Sequence, residues 1–365
     1  MIIYYLIFFF LILRFTVTLF NYISNPKLTN SIKKYDDLVS ILIPARNEES
    51  QIVWLLQSIQ DQDYKNIEVI VLDDNSTDRT YEICSSFTRK DARFSVIRGK
   101  DLPSDWLGKN YACHQLAGKA NGKYFVFLDA DETVKNGLIN NAVHRMKMHK
   151  LSLLSLFANQ KMVTLGERLV VPLMHFLLLN LLPLRLVRLS SNPSLSAASG
   201  QFMMFDALDY QKQQWHLQVK DKIVEDIEIM KLVKRKGGRG EVLLANGFLY
   251  CRMYNGYAEA VQGFSKNLLA GFNMNIAGLL CYLLLVLVGP LFIIFYLDLS
   301  LLLFAITLIS LTRIMISLAS GQNILLNLIL HPVQMVSLLL ISILSVRNHL
   351  TKTITWKGRT IINEN

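Results

Sequence analysis

Long apolar stretches near both ends of the sequence constrain its fold more than any other feature. Ile2 to Phe20 is apolar except for Arg14 and two threonines, and a helix needs about 20 such residues to cross the hydrocarbon core of a bilayer. No basic region precedes this stretch and no small-residue cleavage site follows it, so we expect a retained anchor over residues 1–22 rather than a signal peptide. Further apolar stretches predict about three spans within residues 274–346: Ile276 to Leu297, Leu299 to about Leu318, and about Ile324 to Val346.

Basic residues beside these stretches favour the cytoplasmic side of a membrane. Lys27, Lys33 and Lys34 follow the first stretch, which predicts a cytoplasmic domain after it. The basic tail, residues 347–365, has the same preference, yet three spans after a cytoplasmic domain would place this tail outside. We therefore expect one segment to be re-entrant or interfacial, and the kink-prone His331-Pro332 pair marks the candidate.

The composition also fits a membrane protein. Hydrophobic residues make up 52% of the chain, charged residues make up 18%, and the net charge is +10. A net positive charge of this size is typical of proteins that bind either nucleic acid or the anionic surface of a bilayer. The apolar stretches and the lack of a basic nucleic-acid motif favour the lipid bilayer as partner, with no nucleic acid. The four cysteines are too widely spaced for a zinc site or a disulfide framework, which indicates a reducing, cytosolic setting for the soluble part.

One more apolar stretch runs from Arg168 to Leu189 and is interrupted by two prolines and by Arg185 and Arg188. It suits either a buried core helix or an amphipathic element in the membrane interface, with its basic residues toward lipid head groups. We expect the interfacial element, over about residues 168–190, which would bring the soluble domain next to lipid.

Short β-rich runs alternate with helical patterns between the first span and the later ones. The helical spacing of Ile52, Leu55, Leu56 and Ile59 lies between the first two of these runs. The alternation predicts an α/β domain, residues 36–270, with a mostly parallel sheet, whose ligands would bind beyond the carboxyl ends of the strands. The predicted strands are Val39 to Ile43, Glu68 to Leu72, Phe94 to Ile97, Tyr124 to Leu128 and Leu151 to Phe157.

Polar clusters follow three of these strands. Any one cluster alone would suit a turn or a helix cap, but three clusters with carboxylates at one sheet edge would repel one another unless they shared a cation or hydrogen-bond donors. Asp129 and Asp131, one residue apart, predict a site for a hard divalent cation, Mg²⁺ or Mn²⁺, that would neutralise a diphosphate leaving group. The clusters are Pro44-Ala45-Arg46-Asn47-Glu48-Glu49, Asp73-Asp74-Asn75-Ser76-Thr77-Asp78 and Asp129-Ala130-Asp131.

Four runs give the chain a resemblance to a known family: PARNEE at 44–49, LDDNSTD at 72–78, FLDAD at 127–131 and VED at 224–226. In these runs it resembles family 2 glycosyltransferases, over roughly Leu38 to Leu268. The resemblance implies the GT-A fold, a Rossmann-like domain that binds nucleotide-diphospho-sugars. The runs Trp106-Leu107-Gly108-Lys109-Asn110, Arg252-Met253-Tyr254 and Trp356-Lys357-Gly358-Arg359 make it similar to the bacterial 4,4'-diaponeurosporenoate (carotenoid acid) and hopene-associated glycosyltransferase groups.

The resemblance also implies roles for the residues that match the family motifs. Asp226 would be the general base that takes the proton from the acceptor hydroxyl, with inversion at the anomeric carbon. Independently, the spacing of Ile223, Ile227, Met230 and Val233 places Asp226 near the start of a helix, where a carboxylate also suits the helix dipole. The nucleoside would be held by Pro44, Ala45, Arg46 and Glu48. The base or ribose would contact Asp73 and Asp74, and the metal and diphosphate would be held by Asp129 and Asp131.

Two basic residues have alternative interpretations. Arg252 follows the strand-like run Gly247 to Tyr250 and would clamp a diphosphate bidentately, or would anchor to lipid head groups. Lys109 would contact a phosphate, or would be a solvated side chain. Both are candidates for nucleotide-sugar binding.

We consider three functions. The first is an inverting transfer of one sugar, expected to be glucose, from a UDP-sugar to a hydrophobic, membrane-borne acceptor such as a carotenoid acid, another terpenoid or a lipid. The second is a processive polysaccharide synthase, but such enzymes carry a Gln/Arg-x-x-Arg-Trp motif where this chain has the run from Cys251 to Tyr257. The third is a catalytically inactive membrane scaffold, which the presence of Asp129, Asp131 and Asp226 disfavours.

Overall fold

A computed structural model describes residues 2–295, 299–351, 354–356 and 359–361. Leu297, which the sequence places in a span, and part of the basic tail (352–353, 357–358 and 362–365) lie outside these residues. The helices are α1 (Ile2–Ser24), α2 (Ile52–Gln60), α3 (Thr80–Thr88), α4 (Gly108–Ala117), α5 (Leu138–His149), α6 (Leu165–Val170), α7 (Pro172–Leu181), α8 (Arg185–Leu189), α9 (Ala207–Gln213), α10 (Trp215–Gln218), α11 (Glu225–Arg235), α12 (Tyr257–Gly271), α13 (Ile276–Leu283), α14 (Gly289–Phe295), α15 (Leu299–Ser320), α16 (Ile324–Ile329) and α17 (His331–Thr351), with a π-helical segment, Leu284–Val288, between α13 and α14.

The strands are β1 (Val39–Ala45), β2 (Ile67–Asp73), β3 (Phe94–Arg98), β4 (Tyr124–Leu128), β5 (Glu132–Val134), β6 (Leu153–Phe157), β7 (Asn159–Gln160), β8 (Phe202–Asp206), β9 (Gly240–Leu244), β10 (Leu249–Cys251), β11 (Ile354–Trp356) and β12 (Arg359–Ile361). Within the described residues, the central sheet has the order β3-β2-β1-β4-β8-β6-β9. Only β8 runs antiparallel to its neighbours in this sheet, β4 and β6. The predicted α/β fold with a mostly parallel sheet is confirmed.

The five predicted strands are present as β1, β2, β3, β4 and β6. Four of them, β1, β2, β4 and β6, form because their apolar residues are buried on both faces of the sheet. Strand β3 lies at the edge of the sheet, and only its first residue, Phe94, is buried. The strands β8 and β9 were not predicted. The expected strand at Gly247 to Tyr250 begins later, at Leu249, because Asn246 and Gly247 have positive φ angles and form a turn.

Two apolar cores flank the sheet. One core lies under α2, α3 and α5. The other core lies under α4 and α11 and continues without interruption into α7, α12, α13 and α17. The α/β domain and the apolar helices therefore share one core, which fixes one face of the sheet against the helical region.

Four helical stretches of the described chain are long and apolar enough to cross a membrane: Tyr4–Ser24, Ile276–Ile293, Leu299–Ser320 and His331–Thr351. The first three pack side by side. Helix α15 runs parallel to α1, since the rings of Phe8 and Phe304 stack 6.1 Å apart at one end while Lys27 Nζ lies 3.4 Å from the Leu318 carbonyl oxygen at the other. Helices α13 and α14 run antiparallel to α1, with Tyr282 against Phe10.

The predicted last span, Ile324 to Val346, is instead two helices, α16 and α17, that meet at Leu330. Pro332 has no amide hydrogen to donate, so it suits the first turn of α17 and not the interior of one continuous helix. Helix α17 then lies along α12, where the Tyr257 and Ser337 hydroxyls are 3.2 Å apart and the Leu269 amide donates to Ser345 Oγ at 3.1 Å.

The stretch expected to be interfacial forms α6, α7 and α8. Much of α7 is buried, and it packs against α1 and α15, with Asn21 Nδ2 donating to the Leu179 and Leu182 carbonyl oxygens at 2.8 Å. This burial is that of a core helix. The expectation that Arg188 faces lipid head groups is wrong, because its Nε is 2.7 Å from the buried Glu241 carboxylate, which also binds Arg145. A buried carboxylate of this kind requires cationic partners.

Candidate active site

The loops after β1 and β2 are bound to each other. The Asp74 amide donates to the Ala45 carbonyl oxygen at 2.8 Å, and Arg46 Nη1 donates to the Asp74 carbonyl oxygen at 2.6 Å. Asn47, at a positive φ of 52°, accepts from the Thr77 amide at 2.8 Å. Arg46 therefore holds the second loop through its backbone, and the two predicted nucleoside-binding loops form one rigid edge beyond the strands.

Asp73 and Asp74 are both buried at the end of β2. Asp73 lines a polar cavity of about 280 Å³ together with Tyr81 and Arg98, and the guanidinium of Arg98 lies over the Tyr81 ring. The Asp73 Oδ1 atom is buried without a hydrogen-bond partner among the described residues. A buried acceptor in this position suits a donor from a ligand.

Lys109 lies at the centre of the predicted site. It is on the first turn of α4, and its Nζ is 2.7 Å from Asp129 Oδ1 and 3.3 Å from Glu225 Oε1. Burial works to lower the pKa of Lys109, but the Asp129 and Glu225 carboxylates raise it well above its ordinary value. Lys109 is thus a fixed cation between two carboxylates, and the alternative of a freely solvated side chain is wrong.

Helix α11 begins at Glu225, as the sequence predicts, and Asp226 occupies its first turn. Asp226 Oδ2 accepts from the Gly200 amide at 2.9 Å, and Oδ1 accepts from the Ile227 amide at 2.7 Å. Burial and the neighbouring Glu225 carboxylate nevertheless raise the pKa of Asp226 to about 7. This carboxyl group can therefore accept a proton near neutral pH, which is what a general base requires.

A second carboxylate cluster lies beyond Asp129. The β5–β10 pairing places Cys251 opposite Glu132, and the Cys251 thiol lies 3.4 Å from Asp131 Oδ2. Side-chain ligand atoms of Asp131, Glu132 and Cys251 lie within 4.8 Å of one another. The sequence analysis missed Glu132 and Cys251, since no local pattern distinguishes them. The one sequence feature that could have indicated Glu132 as a site residue is its position directly after the Asp129-Ala130-Asp131 motif.

The electrostatics of this cluster favour a cation. Burial raises the pKa of Asp131 to about 6, and the carboxylates of Asp129 and Glu48 add to the shift. Glu132 is buried, and neither of its carboxylate oxygens has a hydrogen-bond partner in the part of the chain that the structure describes. Its pKa is raised well above the ordinary value by burial and by Asp131 and Asp129. Crowded carboxylates with unused oxygens fit a hard divalent cation. The Cys251 thiol, whose pKa burial also raises, is a poor ligand for such an ion while it keeps its proton.

Arg252 comes directly after β10, beside this cluster. Its Nη2 is 2.9 Å from Glu167 Oε1, and Glu167 is buried on α6, where Thr164 Oγ1 caps the helix by accepting from the Glu167 amide. Arg252 therefore has a protein partner, which neither of the two interpretations from the sequence included. The pair joins the carboxylate cluster to the helices that pack against the apolar region.

The chain is similar to several known proteins. The glycosyl transferase family 2 model matches residues 40–208. The 4,4'-diaponeurosporenoate glycosyltransferase of Staphylococcus haemolyticus is 27% identical over 264 residues, 69% of this chain and 66% of that protein. The UDP-Glc:alpha-D-GlcNAc-diphosphoundecaprenol beta-1,3-glucosyltransferase WfaP of Escherichia coli is 36% identical over 122 residues, 32% of this chain and 43% of that protein. The chain thus spans less than two thirds of either relative.

Among solved structures, the mannosyltransferase PcManGT of Pyrobaculum calidifontis, in complex with GDP-Man and Mn²⁺, superposes with a TM-score of 0.55. The match covers 95% of this chain and 99% of that one at 16% sequence identity, so it supports the fold. The predicted GT-A fold, the family motifs at the strand ends and the family match agree. The chain therefore contains a glycosyl transferase family 2 domain, at residues 40–208.

Proposed function

We propose that this protein transfers a single sugar, with glucose from UDP-glucose as the first candidate, to a hydrophobic acceptor held in the membrane. The observation that carries the proposal is the contiguous arrangement of Asp129, Lys109, Glu225 and Asp226. Lys109 bridges Asp129, whose carboxylate suits a metal–diphosphate group, and Glu225, which directly precedes Asp226, whose carboxyl group suits a general base. The similarity to a carotenoid acid glycosyltransferase and to a glucosyltransferase acting on a diphosphoundecaprenol acceptor supports the acceptor class.

In this proposal the nucleotide-sugar lies along the ends of β1, β2 and β4. The nucleoside would contact the loop from Pro44 to Glu48 and the Asp73-Asp74 pair, and the diphosphate would lie near Asp129 and Lys109. Lys109 would release part of its pairing with Asp129 to neutralise the departing nucleoside diphosphate. Its ammonium group already lies at the end of β4, where the leaving charge would develop, so it would exchange one anionic partner for another.

Asp226 would take the proton of the acceptor hydroxyl or, for an acid acceptor, would orient the attacking oxygen. Its two hydrogen bonds from the Gly200 and Ile227 amides fix the carboxylate in one orientation. The attack of the acceptor oxygen forms the new glycosidic bond while the bond to the diphosphate breaks, which inverts the anomeric carbon. Positioning of a base in this way contributes about 10²- to 10⁴-fold to a rate.

A divalent cation, Mg²⁺ or Mn²⁺, would be held by Asp129 and Asp131, with Glu132 as a further carboxylate. When bound, it would supply Lewis-acid stabilisation of the diphosphate leaving group. The buried, unpartnered oxygens of Glu132 support this assignment.

A single transfer is favoured over chain elongation. Where processive synthases carry an Arg-Trp motif for a growing chain, Arg252 here is paired with Glu167. Helix α6, which carries Glu167, packs against α12 so closely that a Cβ atom at Gly166 would clash with Tyr257. The site therefore lies beside helices that contact the apolar region, as a lipid-like acceptor would require.

The membrane arrangement that we propose has three crossings, by α1, by α13 with α14, and by α15, with the catalytic domain in the cytoplasm. Helix α17 would not cross the membrane: its start would reach into the apolar region, where Gln334 binds Arg313 of α15, and its remainder packs lengthwise on α12, which carries the exposed Glu259. A charged helix does not enter the hydrocarbon core without cost. This arrangement leaves the basic tail in the cytoplasm and removes the conflict between tail charge and an odd number of later spans.

The test is nucleoside diphosphate release by the protein in lipid nanodiscs, from UDP-, GDP- and dTDP-sugars, with and without Mn²⁺ and with extracted membrane lipid as acceptor. We expect Mn²⁺-dependent release from one donor that rises with added lipid and is lost in Asp131→Asn. The matched control is Asp101→Asn, an exposed aspartate. Full release without metal, or in Asp131→Asn, would contradict the role of the carboxylate cluster.

A further inference from the structure

A cavity of about 470 Å³ lies among the apolar helices, away from the carboxylate cluster. Its walls come from α1, α7, the π-helical segment with α14, α15 and the start of α17. They are almost entirely apolar and include Leu11, Phe176, Val286, Leu308, Met335 and Leu339. This volume lies within the range of small-molecule sites, roughly 300–1,000 Å³.

One wall of the cavity carries a buried cation. Arg14 lies in the middle of the first candidate span and is 7% exposed. Within the described chain it has no hydrogen bond and no carboxylate partner, and its Nε is buried and unsatisfied. Its guanidinium lies over three aromatic rings, at 5.7 Å from Phe10, 5.0 Å from Phe176 and 5.9 Å from Tyr282.

The candidate spans offer no internal anion to Arg14. None of the four stretches contains Asp or Glu. A nearby arginine, Arg313, is held differently: its Nε donates to the Asn327 carbonyl oxygen at 3.4 Å and its Nη2 donates to the Gln334 side chain, while its Nη1 has no partner among the described residues. The two guanidinium groups lie on the same ring, Phe176, each at 5.0 Å. Arg313 is therefore part of the protein's polar network, while Arg14 faces the cavity unpaired.

We propose that the cavity binds an acidic amphiphile, a hydrocarbon chain that carries one carboxylate or phosphate, with its anionic group beside Arg14. An unpaired charge within the apolar part of a membrane is costly, and a bound anion removes that cost. The apolar walls suit the chain of the same molecule. A neutral lipid would fill the walls and leave the cation unpaired, so charge complementarity selects the acid.

The occupied cavity would lie one helix away from the carboxylate cluster. Gln334 Nε2, at the start of α17, donates to the Arg168 carbonyl oxygen at 2.8 Å. Arg168 follows Glu167, the partner of Arg252, on α6. The site is separate from the sugar-transfer centre, and binding there requires neither a nucleotide-sugar nor turnover.

The experiment is photo-crosslinking of the purified full chain with diazirine-bearing probes: a long-chain fatty acid, the matched fatty alcohol, and a phosphatidic acid. Labelled peptides are mapped by mass spectrometry. We expect the fatty acid or the phosphatidic acid to label α1, α15 and α17 at concentrations roughly tenfold below the alcohol, as a charged hydrogen bond would give. The acid that labels at the lower concentration identifies whether a carboxylate or a phosphate is preferred.

Two variants test the charge of Arg14 and the open volume of the cavity separately. Arg14→Gln should lose roughly tenfold or more of the acid labelling and little of the alcohol labelling, while Arg347→Gln, an exposed arginine on α17, should label like the parent. Val336→Trp, which fills the cavity from its exposed side and keeps Arg14, should lose labelling by every probe. It tests the cavity even where Arg14→Gln fails to fold. Equal labelling by acid and alcohol in the parent, or undiminished labelling of Val336→Trp, would overturn the proposal.

Discussion

The pH dependence of sugar transfer tests the assignment of Asp226 as the base. Burial and the Glu225 carboxylate raise the pKa of Asp226 from 3.8 to about 7. Only the ionised form accepts a proton, so about a tenth of the free enzyme is competent at pH 6 and about a hundredth at pH 5. We expect kcat/KM to fall roughly tenfold for each pH unit below 7 and to level off above it. Asp226→Asn should lower the rate by about 10²- to 10⁴-fold at every pH.

The same carboxyl group should affect stability with a definite sign. Because the pKa in the folded state is higher than in the unfolded chain, the folded state binds the extra proton between about pH 4 and pH 7. The parent should therefore lose stability as pH rises through this window. A shift of this size corresponds to at most about 4 kcal/mol, and partial exposure of the side chain reduces it to roughly 1–2 kcal/mol.

The assay is the initial rate of sugar transfer from pH 5 to pH 9 at saturating Mn²⁺, together with thermal unfolding over the same range. Asp226→Asn should melt at a higher temperature than the parent at pH 8 and at a similar temperature at pH 4. The matched control is Glu228→Gln on the same helix, whose carboxylate pairs with Lys231 at 2.7 Å. Turnover that survives in Asp226→Asn, or a parent profile without a step between pH 6 and pH 8, would refute the reasoning.

Three other predictions concern the metal, the fold and the membrane. Glu132→Gln should raise the Mn²⁺ concentration for half-maximal transfer by about 10- to 100-fold, measured by metal titration; an unchanged midpoint would remove Glu132 from the metal site. Arg188→Gln should lower stability by about 1–3 kcal/mol, because one partner of the buried Glu241 is lost, and should leave kcat unchanged in transfer assays. A cysteine in place of Asn365, in a Cys281→Ser background, should react with an impermeant maleimide only in inside-out vesicles. Labelling of intact cells would contradict the proposal that α17 does not cross the membrane.

Much of the fold was predictable from local patterns. The strands β1, β2 and β4 are continuous apolar runs followed by polar residues, so both the strand and its end are visible in the sequence. The parallel arrangement then places the clusters after those strands at one edge. The position of Asp226 near a helix start was also visible, because the apolar spacing of α11 is local.

Other features depend on contacts between residues that are distant in sequence. Cys251 and Glu132 meet only because β10 pairs with β5, and the register of that pairing has no signature in either segment. The two carboxylates around Lys109 likewise come from different elements, one after β4 and one on α11. The break between α16 and α17 was marked by Pro332, but the packing of α17 on α12 was not visible in its composition.

The most direct test of the central claim is whether sugar carbon enters the lipid phase. The protein in nanodiscs is incubated with UDP-[14C]glucose, Mn²⁺ and extracted membrane lipid, and radioactivity is counted after organic extraction, with Asp226→Asn as the blank. Our account predicts a chloroform-soluble product carrying one sugar, absent from the blank. Nucleotide release without label in the lipid, or label in a water-soluble polymer, would contradict single transfer to a membrane acceptor.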